Sequence, residues 1–224
     1  MNSNSKTPFT TADGSSTLLS AQYNAHYHSL HGAITESMHI FIEAGLMQIR
    51  EKSVNIIEVG FGTGLNAALT AQRASELGIR VIYHSVELHP LNAEEYKLLN
   101  YNTVLPNETA TYWERICSAK WDSSTYITKN FTIQKINADF TQWMPNTKYH
   151  LIYFDAFAPD DQPEMWAKEQ FEKLFNVLHP NGVLVTYSVK GIVKRAMLDV
   201  GFTLERLNGP PGKKHMLRAT KPEL

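Results

Sequence analysis

The stretch Glu58-Val59-Gly60-Phe61-Gly62-Thr63-Gly64 constrains this chain more than any other. It follows VNIIEV, a short apolar run from Val54 to Val59 that reads as a buried strand, and precedes Leu65 to Leu77, which reads as a helix closed by Gly78. The alternating glycines let the backbone turn sharply and approach a ligand closely. Strand, glycine-rich turn and helix together form the opening unit of a doubly wound α/β sheet, where ligands bind at the carboxyl edge of the strands. Leu65 stands where a dinucleotide fingerprint needs Gly or Ala, which disfavours a nicotinamide-dependent dehydrogenase, and no Gly-Lys-Ser/Thr follows to make a P-loop.

The alternation continues. Val81 to Val86 reads as a strand, and Pro90 to Leu99 suits a helix with proline in its first turn. Phe131 to Ile136 and Leu151 to Phe154 read as strands. Glu164 to Leu178 reads as a helix stopped by Pro180-Asn181-Gly182, Val183 to Tyr187 as a strand, and Lys190 to Val200 as a helix closed by Gly201. Phe202 to Leu207 and His215 to Ala219 pair as a hairpin around Gly209-Pro210-Pro211-Gly212. The pattern predicts an α/β fold with a mostly parallel seven-stranded sheet and helices on both faces. Ile34, Met38, Phe41, Ile42, Leu46 and Ile49 have helical spacing, which predicts an N-terminal helical extension over residues 20–50. The polar residues before it read as a loop or short strand. Residues 101–130, with Trp113 and Trp121, fit the alternation poorly and read as an insertion with some helix.

Length and composition set the outer bounds. A chain of 224 residues suits one domain, spanning 1–224. It carries no apolar run able to cross a bilayer, and its polar start lacks the order of a secretory signal. Cys117 is the only cysteine, so a reducing, cytoplasmic location is expected, with no membrane partner and no obligatory protein partner evident. His26, His28, His31 and His39 crowd together, but no cysteine and no H-E-x-x-H pattern supports them, so no metal is expected. The net charge of −1 argues against extensive phosphate contacts. From Lys190 onward, however, basic residues such as Lys194, Arg195, Arg206, Lys213 and Lys214 outnumber Asp199, Glu205 and Glu223. That excess reads either as a solvated face or as a patch for a polyanion.

Three acidic positions end strands. Glu87 can accept hydrogen bonds from both hydroxyls of a ribose, Asp139 is either a helix cap or an adenine contact, and Asp155 opens Asp155-Ala156-Phe157-Ala158-Pro159. A carboxylate at the last position can orient an amine and accept its proton.

The run Tyr27-His28-Ser29, Gly32-Ala33, Glu36-Ser37 and His39-Ile40-Phe41, then EVGFGTGLN, FDAFAPDDQPEMW and Gly212-Lys213-Lys214, resembles the MnmC methyltransferase domain family, in its stand-alone, MnmD-like form. The resemblance extends from about residue 10 to about 220 of the chain and implies a class I methyltransferase fold. It implies N-methylation, by S-adenosyl-L-methionine, of the 5-aminomethyl group on the wobble uridine, usually a 2-thiouridine, of a tRNA anticodon stem-loop. It also implies that Glu58, Gly60, Phe61, Gly62, Thr63, Gly64, Glu87, Asp139 and Phe140 hold the cofactor and that Asp155 faces the amine. Phe157, Pro159, Trp166, Tyr27 and Glu36 are expected to shape the substrate pocket, and Lys190 and Lys194, four apart on one helical face, to meet tRNA. The oxidase domain of bifunctional relatives is expected to be missing, and with it any flavin (FAD). Two departures matter: Asn137-Ala138-Asp139 replaces Gly-Asp at the adenine position, and Lys214-His215-Met216 replaces Arg-Glu-Met near the end. An amine methyltransferase for a protein or small molecule is the runner-up. A polyamine synthase and a non-catalytic RNA-binding module are further alternatives.

Overall fold

A computed structural model describes residues 7–223; residues 1–6 and 224, at the edges of the expected 1–224 domain, lie outside the described residues. The strand after the polar start, β4 (Ser53–Val59), sits at the centre of the main sheet. It pairs in parallel with β5 (Arg80–Glu87) on one side and β8 (Tyr149–Phe154) on the other. Parallel neighbours and cover on both faces explain why these strands are mostly apolar. Beyond β5 lies β7 (Phe131–Asn137), and beyond β8 lies β9 (Leu178–Thr186). The hairpin β10 (Thr203–Asn208) and β11 (His215–Thr220) closes that end, with β11 antiparallel to β9.

The sheet holds eight strands rather than the expected seven, in the order β10-β11-β9-β8-β4-β5-β7-β6. The addition is β6 (Ser123–Thr128), which pairs antiparallel with β7 and comes from the supposed insertion. That segment is part of the core. Its helix α5 (Asn107–Ser118) buries Ala110, Trp113 and Ile116, a helical spacing, against α2 (Leu65–Leu77). Two apolar clusters flank the sheet, one beneath α2 and α5, the other beneath α6 (Lys168–Val177) and α7 (Gly191–Asp199).

Several boundaries differ from expectation for identifiable reasons. The helix at 90–99 is only α3 (Ala93–Lys97), because Asn92 accepts bonds from the amides of Glu94 and Glu95 while Glu95 reaches back to the Asn92 amide. Proline therefore precedes the helix rather than opening it. Leu178 already pairs with Tyr149, so Pro180-Asn181-Gly182 forms an irregular stretch inside β9 and not a helix stop; Asn181 takes φ 61° there. The residues expected as helical from 20 to 50 are helical only from α1 (Ala33–Ser37), which runs into a π-helical turn at Met38–Glu43 and, after Gly45, a 3-10 turn at Leu46–Gln48. Ahead of it lies a three-stranded antiparallel sheet of β1 (Thr7–Thr10), β2 (Ser16–Ser20) and β3 (Ala25–His26).

Asp13 fastens that small sheet to α1. One carboxylate oxygen accepts from the Thr11 hydroxyl at 2.8 Å and the Ser15 amide at 3.1 Å; the other accepts from the amide and hydroxyl of Thr35, each at 2.9 Å. Burial acts to raise its pKa, but the bonds from Ser15, Thr35 and Thr11 outweigh it and hold the group at about 2. A carboxyl depressed on folding stabilises above its unfolded pKa, and the contribution fades as pH falls through the folded value. Asp13→Ala should therefore cost about 1–3 kcal/mol in urea melts at pH 7 and markedly less at pH 2, where the carboxyl is about half protonated. A cost that does not vary with pH would place the loss in packing instead.

Candidate active site

The carboxyl ends of β4, β5 and β8 converge on a cavity of about 360 Å³. The turn after β4 forms one wall. Gly60 holds φ 93°, and a Cβ placed on it would fall 2.5 Å from the carbonyl oxygen of Asp155, so only glycine lets the turn lie directly against the end of β8. The Trp113 indole donates to the Thr63 carbonyl at 2.9 Å and pins the turn from α5. Glu87, the last residue of β5, accepts from the Gly62 amide at 3.2 Å and the His89 amide at 2.8 Å, and its carboxylate borders the cavity. Asp139 and Phe140 border the same end. Asp139 accepts from the amide and hydroxyl of Thr141 at 2.8 and 2.7 Å; it caps a turn, not the expected helix, and borders the cavity.

Asp155 sits at the end of β8 and is half-buried in the cavity floor. Its Oδ2 accepts from the Asn66 side chain at 2.9 Å, and its Oδ1 takes no hydrogen bond from the described residues. Burial, reinforced by the charge of Glu36, pushes its pKa up to about 7, against the opposing pull of Asn66 and Lys213. The far wall comes from both ends of the chain. Tyr23 stacks on Phe157 with centroids 4.5 Å apart, and Tyr27 meets Phe157 edge-on at 5.2 Å. Glu36 accepts from the Ser29 amide at 2.8 Å and forms an ion pair with Lys213, whose ammonium also lies 4.3 Å from the Tyr187 ring centroid.

Not every expected residue reaches the cavity. Glu58 is fully buried, because strand alternation turns it to the α2 face, beneath the turn instead of above it. Thr63 is spent on His28, at 2.7 Å, and Gly64 opens α2 against the Phe61 ring. Trp166 packs among Phe154, Phe171 and Tyr187 and donates to the Phe157 carbonyl at 2.8 Å, so it supports the pocket without lining it. Pro159 is buried and also stays outside the cavity. Lys190 and Lys194 lie outside too, Lys190 exposed and ion-paired with Asp160. Conversely, Tyr23, Tyr187 and Lys213 line the site without having been singled out as site residues, and Asn66 braces its floor. The histidines scatter into separate tasks. His28 is driven down to about 4 by burial, His39 bonds the Asn208 carbonyl at 2.8 Å, and the His31 ring packs on Gly212. Among the described residues no three His, Cys, Asp or Glu side chains are grouped to hold a metal ion, and no helix is long and apolar enough to cross a membrane.

A family model described as S-adenosyl-L-methionine-dependent methyltransferase matches residues 107–222, just over half of the chain. The chain belongs to this family. Among relatives, the methyltransferase is 30% identical over 223 aligned positions to the "tRNA 5-methylaminomethyl-2-thiouridine biosynthesis bifunctional protein MnmC" of Burkholderia mallei (strain SAVP1) and, equally, to that of Burkholderia pseudomallei (strain 668). Each match covers 90% of this chain and 33% of the relative, so the chain spans about a third of those proteins. In fold, the methyltransferase superposes on the crystal structure of MNMC2 from Aquifex aeolicus with a TM-score of 0.80, at 24% identity, over 100% of this chain and 73% of that one. The N-methyltransferase NodS from Bradyrhizobium japonicum WM9 gives 0.50 at 15% identity, over 85% of this chain and 94% of that one. The methyltransferase therefore has the class I, Rossmann-like fold, carried on a mixed and mostly parallel sheet.

Proposed function

We propose that this methyltransferase N-methylates the 5-aminomethyl group of the wobble uridine, usually a 2-thiouridine, in a tRNA anticodon loop, giving 5-methylaminomethyl(-2-thio)uridine. The observation that carries this reading is the Asp155 carboxylate, held by Asn66 on one oxygen and open to the cavity on the other. The names of the MnmC relatives supply the tRNA nucleoside.

The cavity fits S-adenosyl-L-methionine. Gly60 and Gly62 leave the turn wall without side chains, and Glu87 presents a carboxylate with lone pairs left after its two amide bonds. Gly60, Phe61, Gly62, Glu87, Asp139 and Phe140 would hold the cofactor there. When bound, the cofactor supplies an electrophilic methyl group on its sulfonium.

Asp155 receives the acceptor amine. An alkylammonium has a pKa of about 10.4 and cannot attack until it loses a proton. An ordinary aspartate, near 3.8, is a poor base for that proton; at about 7, Asp155 narrows the mismatch by about three units. Its Oδ1 can take an N–H of the amine and fix the lone pair's direction, which matters most in an in-line displacement. The stacked Tyr23 and Phe157 offer an aromatic wall to an extruded base. Glu36 and Lys213 close the opposite side.

A short loop substrate needs few phosphate contacts, and Lys194, Arg195, Arg206 and Lys214 have no acidic partner among the described residues, whereas Lys190 is neutralised by Asp160. Lys194→Glu should therefore weaken tRNA binding more than Lys190→Glu and flatten the salt dependence by about one unit of slope, with cofactor binding unchanged. Equal tRNA affinity in wild type and in the variant carrying both Lys190→Glu and Lys194→Glu would sink the patch.

The reaction itself is tested by methyl transfer from labelled S-adenosyl-L-methionine to tRNA carrying 5-aminomethyl-2-thiouridine. Label in the wobble nucleoside establishes the acceptor. A protein that binds the cofactor yet leaves this tRNA unlabelled would refute the tRNA reading and turn attention to protein or small-molecule amines.

A further inference from the structure

Glu58 poses a separate problem. Its side chain is completely buried, does not line the cavity, and forms no ion pair among the described residues. Its two oxygens accept from the Ser85 hydroxyl at 2.6 Å and from the Asn66 amide nitrogen at 3.0 Å. The same Asn66 nitrogen donates to Asp155 at 2.9 Å. One NH2 group thus bridges two carboxyls, one sealed in the core and one facing the cavity. The side-chain oxygen of Asn66, Oδ1, is itself buried and accepts from no group among the described residues.

We propose that Glu58 does not touch the cofactor but forms, with Asp155 and through Asn66, a carboxyl pair that carries a single negative charge, located on Asp155. Asn66 and Glu58 are then positioning residues for the group that meets the amine. Two ionised carboxylates sharing one amide in a dry core would repel each other without compensation. Keeping the proton on Glu58 removes that repulsion. It also supplies an O–H donor within the Ser85–Asn66 cluster, where Asn66 has an acceptor to spare.

The surrounding groups leave this arrangement intact. Tyr83 from β5 and Tyr153 from β8 face Glu58 as neutral phenols, both held above their usual range by burial. Tyr187, likewise raised by burial, faces Asp155. Glu36 from α1 and Lys213 from the C-terminal turn face Asp155 as an ion pair, with the carboxylate of Glu36 acting on it more strongly than the ammonium of Lys213. Burial pushes Glu58 up to about 8, aided by the charge of Asp155 and opposed by Ser85, Asn66 and Tyr83.

The inference rests on reading Asp155 as the residue that receives the amine, but its test uses no acceptor. Failure of that reading would appear separately, as wild-type protein that transfers no methyl group to tRNA. Carbon-13 NMR of carboxyl-labelled Asp and Glu, assigned with Asp155→Asn and Glu58→Gln, follows both protons directly. In wild type the pair should lose them in two steps more than about one pH unit apart, as coupled sites do. In Asp155→Asn, Glu58 should titrate in one step, at lower pH than in wild type. In Ser85→Ala, which touches only the Glu58 side of the pair, the Glu58 step should move up. Glu58→Gln should bind S-adenosyl-L-methionine as wild type does by calorimetry at pH 7. A Glu58 midpoint unmoved by Asp155→Asn overturns the proposal, as does Glu58→Gln weakening the cofactor by about tenfold, or 1.4 kcal/mol.

Discussion

Asp155→Asn is expected to lower kcat by about a hundred- to ten-thousand-fold, the range typical of a lost general base, while the Kd for S-adenosyl-L-methionine stays near that of wild type. The amide still accepts from Asn66, so the floor keeps its shape; what disappears is the charge that takes the proton. The same variant should gain stability at alkaline pH. A carboxyl whose folded pKa is raised, here from 3.8 to about 7, stabilises fully below its unfolded value and loses that contribution as pH rises through the folded one. Wild type should accordingly weaken between about pH 4 and pH 7 relative to Asp155→Asn, by a few kcal/mol at most, with no difference below pH 4. Single-turnover assays and urea melts across this range read both effects. Undiminished methyl transfer would remove Asp155 from the chemistry.

Gly60→Ala should be the most damaging small substitution in the site. Its Cβ would sit 2.5 Å from the Asp155 carbonyl oxygen and 3.0 Å from the carbonyl carbon, both backbone atoms that cannot swing away. Strain at a positive φ adds to the clash, for a total cost of about 3 kcal/mol or more and loss of cofactor binding. Gly78→Ala is the control. It has φ 65° at the C-terminus of α2 but nothing within 4 Å of the new methyl, so it should cost only about 1–2 kcal/mol and leave binding alone. Equal losses in the two variants would mean that the close approach of β4 to β8 is not what fixes the turn.

The contrast between these glycines also marks what a sequence reveals and what it hides. Short-range signals were legible. VNIIEV, the glycine turn and the Leu65–Leu77 helix stand where the pattern puts them, as do β5, β7 and the terminal hairpin, because apolar periodicity and turn chemistry act within a few residues. The mostly parallel sheet covered by helices followed from alternation, but not its eighth strand: β6 reads Ser-Ser-Thr-Tyr-Ile-Thr, an edge strand with little apolar signal of its own. In the site, the cavity-lining acids Glu87, Asp139 and Asp155 were visible because each ends or follows a strand. Glu58 and Trp166 were misplaced for the complementary reason. Which face a strand residue takes, and whether an indole lines a pocket or braces it, is decided by how α2, Phe154 and Phe171 pack against them in three dimensions. The ion pair of Glu36 with Lys213 joins residues too far apart in the chain for any local pattern to reveal.

That ion pair bears on biosynthesis. The floor of the cavity is fixed by β4, β5 and β8, all translated well before the last residues, but one wall needs Tyr23, Tyr27 and Glu36 from the beginning and Lys213 from near the end. A nascent chain still lacking its final hairpin has the sheet centre and the glycine turn yet no closed chamber around Asp155. Ribosome-bound intermediates that lack residue 213 should thus be incapable of trapping ligand, and the site comes into being only when the segment around residues 23–36 meets Lys213.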